Sequence, residues 1–247
     1  LLEQTMKYLE NANLDRICSV LSNNATDCHL DMRLEAYSCK MVTSEKKQWK
    51  RSRMTHGQGP QPLSAPDQPP WPTSLSVSPL KAGASRFRHL SEPSCSGSDN
   101  DIDEAGCVYL HAVTTRTLFD LVGVLNTSFP DYDFSHIKSE SFSLIPTLSS
   151  LIGLVDLKLS ATVSNYNEIK EALWREIDEV IKVNDCRIYS YQTEYSGDPF
   201  SEDGVMWSFS YFFSNKSLKR ILFMSCRALR SDPSLNLSAE ELWGFEA

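Results

Sequence analysis

Hydrophobic and polar positions alternate most clearly in two stretches near opposite ends of the chain. Between Val205 and Phe213, Val205, Trp207, Phe209, Tyr211 and Phe213 alternate with Met206, Ser208, Ser210 and Phe212, which predicts a strand with one heavily aromatic face. Ser214-Asn215-Lys216-Ser217 supplies turn residues, with Asn tolerating the left-handed backbone such turns need. In the return arm Ile221 and Phe223 point one way and Leu222, Met224 and Cys226 the other, so both faces are apolar and the strand is expected to be covered on both sides. The stretch from Asp198 to Leu229 therefore reads as a β-hairpin and the nucleus of the core. Near the N-terminus, Leu30, Met32, Leu34 and Ala36 fall on one face while Asp31, Arg33, Glu35 and Tyr37 fall on the other, predicting a strand with one wet face.

Between these strands the period changes to that of helices. Leu14, Ile17, Cys18 and Leu21 predict a first helix capped by Asn13 and ended by Asn23-Asn24. Leu118, Leu121, Val122, Leu125 and Phe129 predict a second, capped by Thr114 or Thr115 and stopped by Pro130. Leu148, Leu151, Ile152, Val155 and Leu159 mark a third, opened by Pro146; Leu154 and Leu157 widen its apolar face, so deep burial is expected. From Asn167 to Val183, Ile169, Leu173, Ile177, Val180 and Ile181 form the core stripe of a fourth, with Glu171–Arg175 and Asp178–Lys182 as outer i,i+4 pairs. Cys186–Tyr191 reads as a further strand, and Asp131–Ser135 as a loop with aromatic anchors. Strands at both ends and helices between predict an α+β fold, an antiparallel or mixed β-sheet with helices packed on it. The N-terminal strand must join the C-terminal strands, or Leu30, Met32 and Leu34 would be exposed.

From Thr43 to about Gly106 the pattern is lost. Eight of the twelve prolines lie between Pro60 and Pro93, and Ser94–Glu104 is Ser-rich and then acidic. Such a segment has too little apolar surface to offset an ordering entropy of ~1–2 kcal/mol per residue. The expected organisation is a single globular domain formed by residues 6–42 and 107–230, interrupted by a long disordered insert at 43–106 and followed by a flexible tail at 231–247. Trp71 and Phe87 in the insert, and Leu242, Trp243 and Phe245 in the tail, are candidates for docking. Met6 reads as a natural start, with Leu1–Thr5 upstream of it.

Composition narrows the function. A formal net charge of −8 argues against a dedicated nucleic-acid binder, so no direct sequence-specific binding is expected. No apolar run reaches the roughly 18 residues needed to cross a bilayer, and no signal segment opens the chain, so a soluble, cytosol-made protein without membrane association is expected. Seven cysteines with no C-x-x-C pair predict free thiols and no zinc site. Glycine-rich phosphate loops, the nucleophile elbow and H-E-x-x-H are all missing, and the five histidines are scattered, so no cofactor is expected. Two acidic clusters, Asp131/Asp133 and Asp198/Glu202/Asp203, have three readings. They are a magnesium or acid–base site of a metal-dependent enzyme, turn-forming caps beside Pro130, Pro199 and Gly204, or an acidic docking surface for a basic partner.

Basic residues gather as Lys46, Lys47, Lys50, Arg51 and Arg53, and as Lys216, Lys219 and Arg220 at the hairpin turn; both groups read as candidate import signals or as ordinary solvated charge. Arg86-Phe87-Arg88-His89-Leu90-Ser91 has the spacing that basic-directed kinases read, Ser78-Pro79 is a proline-directed site, and Ser96 and Ser98 precede acidic residues.

Six segments carry a resemblance. They are Met6–Glu10; Glu35-Ala36-Tyr37-Ser38-Cys39-Lys40-Met41; Pro130-Asp131-Tyr132-Asp133-Phe134-Ser135; Ile188-Tyr189-Ser190-Tyr191; Asp198-Pro199-Phe200 with Glu202-Asp203-Gly204; and Trp207–Phe213 through Asn215-Lys216 to Ile221. Together they resemble the Maf-type negative regulators of RNA polymerase III transcription over most of residues 6–41 and 115–229. The resemblance implies a non-enzymatic repressor that binds RNA polymerase III and blocks its recruitment by initiation factor IIIB. It also implies an insert phosphorylated by nutrient-responsive kinases and reset by a phosphatase, with phosphorylation governing passage between nucleus and cytoplasm. Ser78, Ser91, Ser64 and Ser98 are the candidate sites. Ser78 keeps its following proline, whereas Ser64 is followed by Ala65; Ser217 interrupts the family's basic run after Lys216.

Overall fold

The computed structural model describes residues 6–41, 46–47, 49–50, 60–64, 112–192 and 197–231 of the 247-residue chain. In chain order the elements are β1 (Lys7–Leu9), α1 (Ala12–Asn23), β2 (Cys28–Ser38), β3 (Gln61–Pro62), β4 (Ala112–Val113), α2 (Thr115–Ser128), β5 (Phe142–Ile145), α3 (Leu148–Ser160), α4 (Tyr166–Ile181), β6 (Arg187–Tyr191), β7 (Val205–Asn215) and β8 (Arg220–Arg230). The aromatic hairpin forms as the alternation requires, and β2 pairs with β8 in unbroken antiparallel register from Cys28↔Arg230 to Ser38↔Arg220. The six-stranded sheet runs β1-β2-β8-β7-β6-β5, antiparallel throughout. Residues 6–38 thus share one sheet with residues 142–230, and the two halves of the chain form one α+β domain.

The side-chain period of two divides the sheet into two cores. On one face Leu30, Met32, Leu34, Phe213, Leu222 and Met224 pack beneath α1, α3 and α4. On the other, Tyr37, Phe212, Ile221, Phe223, Tyr189 and Tyr191 pack beneath α2 and the aromatic loop after it. Both faces of β8 are therefore covered, as its apolar pattern demands.

Several local details differ from the sequence expectation. The turn of the hairpin comes two residues later, at Lys216–Lys219. Asn215 ends β7, buried, because its side chain accepts from Leu218 N at 2.9 Å and donates to Ile181 O at 2.8 Å; Lys219 takes the left-handed conformation instead, at φ 52°. The α1 cap is Asn11, whose Oδ1 accepts from Asn13 N and Leu14 N, while Asn13 lies inside the helix and reaches Glu176. Pro146 precedes α3 without entering its first turn, since Thr147 is the cap and accepts from Ser150 N at 3.1 Å. That helix buries only the stripe Leu151, Val155 and Leu159; Leu157 is 71% exposed, so the apolar widening does not translate into deep burial. The face of β2 expected to be wet is half-buried at Asp31, Arg33 and Glu35 and fully buried at Tyr37, because α2 ends on top of it. Both edge strands, β1 and β5, were missed by the pattern.

Among the described residues, the segment expected to be linker docks at two points, the first where Trp49 meets Phe119 at 5.3 Å. At the second, Gln61 and Pro62 pair with Val113 and Ala112, Leu63 enters the aromatic core, and Ser64 N donates to Phe142 O at 2.9 Å along the sheet edge. Residues 65–111, with Trp71 and Phe87, and the tail residues Leu242, Trp243 and Phe245 lie outside the described residues. Among the described residues no helix is long and apolar enough to cross a membrane.

Candidate functional site

Where β2 and β8 run together under the end of α2, the sheet carries a seam of charge. Asp31 faces Arg227 across the register. The Arg227 guanidinium donates to Asp31 Oδ2 from both Nη2 (2.6 Å) and Nε (3.1 Å), and from Nη1 to Pro199 O (2.8 Å) and Glu202 Oε2 (2.8 Å). One side chain thereby ties two strands to the 197–204 turn. Beside it, Arg33 donates from Nη1 to Ser128 O at 2.6 Å, placing a cation on the last carbonyls of α2, where the helix dipole favours it. Glu35 accepts from the hydroxyls of Ser128 (2.6 Å) and Tyr37 (2.7 Å). Burial, with the neighbouring Glu35 carboxylate, pushes the Tyr37 phenol above its ordinary range.

Phe129 closes the seam from above. The Arg33 guanidinium lies 4.5 Å and that of Arg227 5.8 Å from its ring centroid, within cation–π range. The same ring meets Phe200 (5.3 Å), Phe223 (6.2 Å), Tyr132 and Phe134 (both 6.4 Å). Two loops are fixed by this hub, 130–135 and 197–204. The Tyr132 hydroxyl donates to Glu202, so the loops touch. Gly197 (φ 118°) and Gly204 (φ 91°) provide the backbone conformations at either end of the second loop.

The acidic candidates separate by environment. Asp198 is buried, and its carboxylate accepts from Phe200 N (2.8 Å), Ser201 N (3.1 Å) and the Tyr191 hydroxyl (3.1 Å); it shapes the turn from within. Asp131, Asp133, Glu202 and Asp203 are exposed on the two touching loops. Asp133 accepts from Ser135, which holds its carboxyl below the usual range. Among the described residues no group of three or more His, Cys, Asp or Glu is arranged to hold a metal ion. Glu202 is occupied by Arg227 and Asp198 by its own turn, so the metal-enzyme reading of that cluster gives way to turn formation plus a rigidly held acidic surface. The five described cysteines, Cys18, Cys28, Cys39, Cys186 and Cys226, are free thiols.

The basic candidates lie elsewhere. Lys46, Lys47 and Lys50 are exposed in a helical segment whose Trp49 stacks edge-on against Phe119 (5.3 Å) and under the Arg116 guanidinium (5.7 Å). Arg51 and Arg53 fall outside the described residues. Lys216, Lys219 and Arg220 are exposed at the hairpin turn. Of the phosphorylation candidates, Ser78, Ser91 and Ser98 lie outside the described residues, while the Ser64 hydroxyl donates to Glu140 O at the second docked point of the insert. Sequence reasoning placed Phe129 on a helix face and Arg33 on the wet face of a strand, and did not bring either together with Arg227 or Ser128. The available signal was the charged face of β2, which needed countercharges, and the Ser225–Arg227 interruption of an otherwise apolar face of β8.

Comparison with known proteins agrees with this geometry. The family model described as Maf1 regulator matches residues 30–225, which contain both loops and the seam residues Asp31, Arg33, Glu35 and Phe129, and end two residues before Arg227. The chain is 31% identical over 229 residues to the fission yeast (Schizosaccharomyces pombe) protein named repressor of RNA polymerase III transcription maf1, covering 93% of this chain and 85% of that one. It is 40% identical over 127 residues to the Dictyostelium discoideum repressor of RNA polymerase III transcription, covering 51% of this chain and 45% of the relative. In fold it matches a crystal structure of citrus MAF1 with a TM-score of 0.55 at 22% identity, covering 89% of this chain and 99% of the other. With the family model spanning most of the chain and the fission yeast relative matching 93% of it, this chain is a member of the Maf1 regulator family.

Proposed function

We propose that this protein represses transcription by RNA polymerase III, binding the polymerase and blocking its recruitment by initiation factor IIIB. The observation that carries the reading is the similarity to the fission yeast repressor across 93% of the chain. The structure supports it with a surface suited to protein recognition. Asp131, Asp133, Glu202 and Asp203 stand on loops that Arg227 and Phe129 hold fixed, so little ordering entropy is lost when a basic partner docks. Such charges act chiefly on association rate and specificity. Phosphorylation by nutrient-responsive kinases at Ser78 and Ser91, with Ser64 and Ser98 as further sites, adds about −1.5 to −2 charges each. It weakens binding by cancelling the positive charge of Arg86 and Arg88 or by drawing the insert onto the basic Lys46–Arg53 run, and a phosphatase restores it. Lys46–Arg53 and Lys216–Arg220 serve import, so the protein divides between nucleus and cytoplasm according to its phosphorylation.

The test is capture of purified RNA polymerase III by the parent and by Asp131→Asn/Asp133→Asn/Asp203→Asn, each with and without kinase treatment. The expected result is capture by the untreated parent, reduced several-fold by the substitutions and by phosphorylation. Equal capture in all four samples removes the acidic surface from the mechanism, and no capture by the untreated parent removes polymerase binding. A Ser78→Ala/Ser91→Ala protein that still loses binding after kinase treatment places the switch at other serines.

A further inference from the structure

At the end of the sheet opposite the acidic loops, cations from five separate parts of the chain are brought together. The strand register places Lys7 beside Ser38 and Ser38 beside Arg220, with Arg187 beside Ser214 one step further across. Cys39 N donates to Lys219 O at 2.9 Å, which brings Lys40 against the hairpin turn and its Lys216. The C-terminus of α4 lies over the same end, since Asn215 Nδ2 donates to Ile181 O (2.8 Å) and Arg220 Nη1 to Val180 O (3.4 Å); Lys182 follows directly. Arg116 reaches Cys39 O at 2.7 Å from the other face. Lys7, Lys40, Lys182, Lys216, Lys219 and Arg220 are all exposed, and among the described residues Lys7, Lys40, Lys182 and Lys219 take part in no ion pair. Lys182 and Lys219 hold left-handed backbone (φ 57° and 52°) that turns the chain at this end. Glu179 and Asp185 are exposed beside Lys182, yet the six exposed cations outnumber them, so a chain with a formal net charge of −8 folds with one basic end.

We propose that this basic end is a sequence-independent binding surface for the phosphate backbone of duplex DNA. From β1 across β2 and β8 to β7 is three strand spacings, about 14 Å at ~4.8 Å each. A single strand of a duplex presents a phosphate about every 3.4 Å of axis, so such a row faces about four of them. The duplex is favoured over a single strand by charge density and by the aromatic side chains. Stacking is the usual means of holding single strands, yet Trp49 is stacked on Phe119 and the Tyr8 ring leans on Tyr37 at 5.7 Å. The acidic loops at the far end repel the same polyanion, so the protein approaches with one orientation. This surface is separate from the acidic loops to which polymerase binding is ascribed, and either assignment stands or falls without the other.

The experiment measures binding of the full chain to a mixed-sequence 20-base-pair DNA duplex by fluorescence anisotropy between 25 and 200 mM salt. The comparison variant is Lys40→Gln/Lys182→Asn/Lys219→Asn, with asparagine chosen where the backbone is left-handed; its folding is checked by its melting curve. Lys170→Gln, at the other end of α4 where Lys170 pairs with Asp156, is the control. The expected result is binding that weakens linearly in log–log salt plots for the parent and Lys170→Gln, with the slope of the triple variant smaller by about 2.7. No detectable duplex binding at 25 mM salt overturns the proposal. So does a triple variant that binds like the parent, or tighter binding of a single strand of the same length. Preferential binding of poly-glutamate at matched charge assigns the surface to acidic protein segments and overturns it equally.

Discussion

Arg227 satisfies Asp31, Pro199 O and Glu202 with one guanidinium, at 13% side-chain exposure against 24% for Asp31 and 45% for Glu202. Its bond to the exposed Glu202 contributes little, whereas Asp31 depends on it. Arg227→Gln is expected to lower stability by about 2 kcal/mol, below the ~3–5 kcal/mol of a fully buried pair because part of Asp31 still meets water, and to loosen the 197–204 loop. The urea midpoint reads the first effect and amide exchange at Phe200 and Ser201 the second. Leu34→Asp places a carboxylate among Leu222, Met224 and Ile177 in a face where Leu34 is 2% exposed. A loss of several kcal/mol is expected, a large part of the ~5–15 kcal/mol of a typical domain; a melting temperature equal to the parent's contradicts the β2 assignment. The thiols set the alkaline limit. Burial pushes Cys18 and Cys186 up to about 12, against about 8.5 in the unfolded chain. The folded state then holds protons that the unfolded state has released, so stability is full below about pH 8.5 and declines as pH rises toward 12. Cys18→Ala/Cys186→Ala should flatten that decline in denaturant titrations at pH 8, 9 and 10.

At the scale of elements, the docked piece of the insert separates two deletions. Removing 66–106 keeps Gln61–Ser64 on the sheet edge and is expected to preserve the parent's melting temperature. Removing 57–99 takes away Leu63, buried to 9% exposure, with its strand pairing, at a cost of about 2 kcal/mol and several degrees. Equal melting of the two proteins counts against a structural role for that contact. The hairpin, β2 and α4 were legible in the sequence because each is long enough to show its own period. The edge strands β1 and β5 have three and four residues, too few for a period to emerge, and exist because a neighbouring strand offers hydrogen bonds. Asn11 was missed because Asn13 is an equally good cap by type; only the extended backbone at Asn11 decides between them. The acidic loops were legible as clusters, but not which acid turns inward. Asp198 is buried because Tyr191, on another strand, supplies its hydrogen bond, and no local pattern predicts that. The Arg227 seam joins positions 196 residues apart, so the local signals, a charged face of β2 and an interrupted apolar face of β8, did not reveal that they pair with each other.

For the molecule as a whole, the eleven residue pairs between β2 and β8 predict that the two halves recognise each other without a covalent link. Residues 1–64 and 107–247 produced as separate chains in one cell are expected to co-purify as a one-to-one complex with the parent's near-ultraviolet spectrum, and separate elution of soluble halves contradicts the shared sheet. The same pairing has a consequence for how the protein is made. A ribosome adds roughly 5–20 residues per second, so β2 waits about 10–40 s after its own synthesis before Arg227 exists. Throughout that interval Leu30, Met32 and Leu34 have no sheet to join. Local contacts with α1 are all that shelter them, because α3 and α4 have still to be translated or placed. Birth, more than thermal stress, is the stage at which this chain is most exposed to aggregation, and a nascent-chain chaperone holding the first forty residues would be the factor on which its yield depends.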